Sequence, residues 1–78
     1  MKQKSSKQIK FVICIDNSEF PASLEQFKVY RRLPDPDAEQ DGDIRIIDES
    51  GEDYLYASNF FVAIKLPQTV RDMYAQVA

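Results

Sequence analysis

Histidine and tryptophan are absent from these 78 residues, cysteine occurs once and glycine twice. Each shortage removes a class of chemistry. Without histidine the chain lacks the commonest general base and metal ligand near neutral pH. One cysteine excludes an internal disulfide framework, so the apolar core has to hold the fold unaided, which suits a reducing cytoplasm. Cys14 sits inside the apolar run FVICI. It has no activating neighbour in sequence and reads as packing rather than as a nucleophile. Two glycines leave no glycine-rich phosphate loop. No apolar run approaches the ~20 residues of a membrane span. The start, MKQKSSKQIK, is basic, but the FVICI that follows is shorter than the apolar stretch of a signal peptide. Neither an enzyme nor a bound cofactor or metal is expected.

What remains is ordinary globular composition, 44% hydrophobic and 29% charged residues, in a chain long enough for one domain. The net charge is −3, and its distribution is uneven. Lys2, Lys4, Lys7 and Lys10 open the chain with no acid among them. Between residues 35 and 53 stand Asp35, Asp37, Glu39, Asp41, Asp43, Asp48, Glu49, Glu52 and Asp53 against the lone Arg45. So acidic a middle repels phosphate and disfavours generic nucleic-acid binding. Residues 37–48 also match the spacing of a calcium loop. Pro34 and Pro36 forbid its incoming helix, however, and Arg45 would put a cation among the ligands. A solvated acidic loop is the simpler reading.

Period-two patterning predicts an all-β fold. Residues 9–15 form a first strand, apolar enough to be covered on both faces, and Asp16-Asn17-Ser18 stops it. Residues 27–33, FKVYRRL, form a second strand, with a helix from Ala22 as the alternative. Residues 34–42, PDPDAEQDG, are a loop with at most one helical turn. Ile44–Asp48 and Asp53–Tyr56 flank a turn in which Gly51 supplies positive φ. Ala57 to Phe60 form a corner, and Phe61–Leu66 the fifth strand. Pro67 opens a helix, with an apolar stripe of Val70, Met73, Tyr74 and Val77 that has to dock on the sheet or on a partner. The expected organisation is a basic tail over 1–8, the strands over 9–66, and a C-terminal helix over 67–78 packed upon them.

Five short strands with a single-turn corner before the last resemble the Src-homology-3-like barrel. Ile13 to Asn17, ICIDN, stands where that family has A-L-Y-D-Y. Tyr54 to Val62, YLYASNFFV, is similar to its G-Y-I-P-S-N-Y-V. The resemblance covers residues 13–64. The chain is also similar to a group of small bacterial single-domain proteins carrying I-D-E-S-G-E-D-Y-L-Y, a likeness that implies no activity. Signalling members of the barrel family bind polyproline in an aromatic groove. Matched position by position, that groove is mostly missing here. Its tyrosines fall on Ile15 and Asn17, its tryptophan on Ile44 or Arg45, and its corner proline on Ala57, while Phe60 keeps the corner aromatic. Polyproline peptides are therefore unlikely partners.

The expected function is non-enzymatic protein–protein interaction in the cytoplasm, by a regulator or subunit of a larger complex. Tyr54, Tyr56 and Phe60 are the candidate anchors, beside Glu49, Glu52 and Asp53, which would favour a basic partner. The competing view of Tyr54 and Tyr56 is a packing ladder with hydroxyls in water. The alternative function is a nucleic-acid-associated factor. It requires a basic face built from Lys10, Lys28, Arg31, Arg32 and Lys65 together with the lysine tail.

Overall fold

A computed structural model describes the backbone of residues 10–77 and the side chains of residues 10–73. The expected tail over 1–8 lies outside the described residues. Five antiparallel strands form one sheet: β1 (Lys10–Cys14), β2 (Val29–Leu33), β3 (Asp43–Ile47), β4 (Asp53–Ala57) and β5 (Phe61–Ile64), in the order β4-β3-β2-β1-β5. The fold is mainly β, as the patterning predicts. The sheet is open, however, rather than closed into a barrel. Among the described residues no ladder joins its two edges: β4 pairs with β3 and β5 with β1, and the 3₁₀ turn of Ser58–Phe60 links the two strands without pairing them.

Alternation along the strands sets one core face. Val12 pairs with Tyr30 across β1 and β2, Cys14 with Phe61 across β1 and β5, and Ile44 with Tyr56 across β3 and β4. These residues, with Ile46 and with Leu24 from the β1–β2 connection, make the buried cluster. Cys14 is fully buried, which suits packing, and burial pushes its thiol pKa up, with only partial opposition from the hydrogen bond to the backbone at Asp16.

Three local differences from the sequence reading have clear causes. First, the loop over 34–42 contains a helix, α1 (Pro36–Gln40). The Asp35 carboxylate accepts from the Ala38 N–H (3.1 Å), Glu39 accepts from the Asp35 N–H (3.2 Å), and Pro36 opens the helix without needing a partner for its nitrogen. Ala38 is buried, so this acidic segment does contribute to the interior. Second, β2 begins at Val29 rather than at residue 27. Phe27 has φ +68. Its N–H donates to the Cys14 carbonyl, while the Cys14 N–H donates to Lys28 (3.0 Å). Phe27 and Lys28 therefore oppose one residue of β1, a bulge whose first position normally takes glycine. Third, α2 (Gln68–Val77) forms as predicted, but Val70 and Met73 of its apolar stripe are exposed. Arg71 reaches the sheet, its guanidinium 6.0 Å from the centre of the Phe11 ring. No helix among the described residues is long and apolar enough to cross a membrane.

Candidate functional site

The β3–β4 turn is built on Asp48. Its Oδ1 accepts from the Ser50 N–H (2.9 Å) and hydroxyl (2.6 Å), and its Oδ2 accepts from the Tyr56 hydroxyl (2.6 Å). The side chain is buried, 7% exposed. Burial alone would raise its pKa. The hydrogen bonds from Ser50 and Tyr56 outweigh that and hold the carboxyl below its usual value. Burial, and then the bond to Asp48, push the Tyr56 phenol up to about 12.

Glu49 faces the β1–β2 connection instead. It accepts from the Tyr30 hydroxyl (2.5 Å) and pairs with Lys28 (2.7 Å), while its N–H donates to the Ser23 carbonyl (3.0 Å). Glu49 thus ties the turn to the connection through its carboxylate on Lys28, its N–H on Ser23, and Tyr30, whose hydroxyl also accepts from the Glu25 N–H (2.7 Å). Lys28 and Tyr30 hold the Glu49 carboxyl below its ordinary range, and burial followed by Glu49 raises the Tyr30 phenol.

On this frame lies a shallow hollow of about 360 Å³, lined by Phe20, Ser23, Asp48, Ser50, Tyr54, Leu55 and Tyr56. Phe20 packs edge-on against Tyr56 (5.1 Å between centroids) and Phe60 (6.0 Å). Tyr54 and Phe20 keep exposed ring surface, Tyr54 being 49% exposed, with its hydroxyl donating to Glu52 (3.1 Å).

Of the six residues singled out in sequence, then, Tyr54 and Tyr56 line the hollow, Phe60 supports it through Phe20, and Glu52 stands on its rim. Tyr56 is not a free anchor: at 6% exposure it belongs to the core. Neither hydroxyl of the tyrosine ladder is left to water alone, since both donate to carboxylates. Glu49 is engaged with Lys28 and Tyr30. Asp53 alternates to the other face of β4 and, with Asp35, clamps Arg45 at 2.9 and 2.8 Å. The calcium-spaced acids are spread over α1, its C-terminus, β3 and the β3–β4 turn.

The basic face required by the alternative function forms only in part. Lys28 is bound to Glu49, and Arg31, opposite Phe11 in the β1–β2 register, alternates to the other side of the sheet from Lys10 and Arg32. Lys10, Arg32 and Lys65 do converge. Arg71, which sequence reasoning missed because α2 was read for its apolar stripe, joins them around a second hollow of about 320 Å³ floored by Phe11, Val12, Ala63 and Ile64.

Phe27 was missed as a surface feature: it stood in the expected second strand, sharing a face with Val29, yet it is 68% exposed. No protein-family model, curated protein or solved structure matches the chain.

Proposed function

We propose that this chain is a non-enzymatic protein-binding module of Src-homology-3-like architecture, working in the cytoplasm, that receives a basic segment of a partner in the hollow of Phe20, Tyr54 and Leu55. The observation that carries the reading is the hollow itself: exposed aromatic and aliphatic surface over a rigid, hydrogen-bonded carboxylate turn, with Glu52 at its edge. An apolar centre with a charged rim is the anatomy of a modest interface, and acids at the rim steer cationic partners. The architecture is supported by five antiparallel strands in the order β4-β3-β2-β1-β5 with a single-turn corner before the last. Polyproline is a poor ligand for this module, because Ile15 and Asn17 stand where the groove's tyrosines would be needed and Ala57 where its corner proline would be.

The test is a nitrogen-15 NMR titration with lysine- and arginine-containing peptides carrying one apolar side chain, beside neutral and proline-rich controls. The basic peptides are expected to shift the amides around Phe20, Ser50 and Tyr54 and to bind at roughly micromolar to sub-millimolar Kd, about −5 to −8 kcal/mol. Tyr54→Ala is expected to weaken binding by about 1–2 kcal/mol without lowering Tm. Unchanged affinity in Tyr54→Ala, or equal binding of the proline-rich controls, would remove the hollow as the site.

A further inference from the structure

We infer that the second hollow, at the other end of β1, is a binding site for a compact anion with an apolar body, carrying a carboxylate or phosphate group. The inference is independent of the protein-binding surface above.

The argument begins with register. Lys10 and Arg32 stand directly opposite each other across β1 and β2. Like charges in that relation destabilise a sheet, and nothing in the core requires them there. Lys65 follows the last residue of β5 and lines the same hollow as Ala63, which pairs with Val12 of β1. Arg71 of α2, packed over the Phe11 ring, lines the hollow from the Phe11 side.

Four cations therefore border one hollow in a chain whose net charge is −3. Their internal neutralisation is slight. Arg32 pairs with Glu39 at 3.2 Å, and Glu39 also draws on Lys10 electrostatically. Lys10, Lys65 and Arg71 form no salt bridge among the described residues.

Charge complementarity makes the occupant an anion, and the floor narrows the choice. Val12, Ala63 and their neighbours give the hollow an apolar base. Bare phosphate would leave that base wet, whereas an aromatic or short aliphatic body would cover it. The volume, about 320 Å³, lies at the small end of ligand pockets. Beyond Arg32 the surface turns acidic through Glu39 and its neighbours on α1, so an extended polyanion such as a nucleic-acid strand meets repulsion after its first phosphates.

Nitrogen-15 NMR titrations of the whole chain with phenyl phosphate, benzoate, inorganic phosphate and phenol test this. Phenyl phosphate or benzoate is expected to bind at least tenfold more tightly than inorganic phosphate or phenol, with shifts at Lys10–Val12, Ala63–Lys65 and Arg71. The two aromatic anions distinguish a phosphate from a carboxylate ligand. Lys65→Glu and Arg71→Glu, each checked by thermal melting, are expected to weaken binding at least tenfold. If one variant fails to fold, the other carries the comparison. The inference is overturned by equal binding of the four probes, by shifts outside the hollow, or by indifference to charge reversal. Tighter binding of a single-stranded oligonucleotide that extends its shifts past the hollow would overturn it too, in favour of a nucleic-acid surface.

Discussion

Phe27 is a bulky residue where the backbone asks for glycine. Lys28 N–H closes a turn on the Glu25 carbonyl (3.3 Å), and Phe27 occupies its third position, where type II turns need positive φ. An L-residue in that region costs about 1–2 kcal/mol, and a ring 68% exposed recovers little by burial. Strain of this kind persists where the surroundings hold it and often marks surfaces that do something. Phe27→Gly is therefore expected to leave stability unchanged or raise it by up to about 1 kcal/mol, the relief being offset by the flexibility glycine adds to the unfolded chain. Phe27→Val is expected to lose about 1–2 kcal/mol, since a β-branched side chain tolerates positive φ worst. Urea unfolding of both variants decides. A clear loss in Phe27→Gly would show that the ring, not the backbone, governs this position.

At the scale of elements, patterning made most of the fold legible and left two kinds of feature hidden. Ile44 and Ile46 alternate with Arg45 and Ile47 along β3 as the sequence implies, and the 3₁₀ corner at Ser58–Phe60 lies where the short polar break stands. Helix α1 was hidden because its cap, Asp35, reads as one more solvated acid until its partners Ala38 and Arg45 are seen in space. The two hollows were hidden because each gathers residues far apart in sequence, Phe20 with Tyr54 and Lys10 with Arg71. Periodicity along one segment carries no information about such meetings. The β3–β4 turn was legible from Gly51, which has φ +85. A Cβ built there meets nothing within 4 Å, so Gly51→Ala is penalised by backbone conformation alone, by about 1 kcal/mol. Urea unfolding measures it, and a loss well above that figure would mean the turn supports more than its own hydrogen bonds.

Over the whole molecule, the two carboxylate–phenol pairs, Asp48 with Tyr56 and Glu49 with Tyr30, set opposite limits of pH. Asp48 and Glu49 have folded pKa values below their ordinary 3.8 and 4.5. A depressed acid contributes stability that is present above its ordinary pKa and disappears as pH falls through the folded value. Tyr30 and Tyr56 act at the other limit. Their phenols are raised above the ordinary 10.0, Tyr56 to about 12, so the folded chain keeps protons that the unfolded chain gives up. That contribution is present below pH 10 and is lost as pH rises toward the folded values. Stability is expected to form a plateau between roughly pH 5 and 9.5, with an acid limb and an alkaline limb.

Asp48→Asn tests the acid limb, because an amide cannot titrate. The variant is expected to lose about 1–3 kcal/mol at pH 7 through imperfect pairing of Tyr56 and Ser50, and to show a shallower decline below pH 4. Tyr56→Phe tests the other side. It is expected to cost about 1 kcal/mol and to flatten the alkaline limb, while tyrosinate absorbance in the native chain keeps Tyr30 and Tyr56 silent until unfolding. Urea melts from pH 2 to 11 measure all of this. If Asp48→Asn keeps the full acid slope, the titration belongs to other carboxylates. In that case Asp48 serves packing and turn geometry alone.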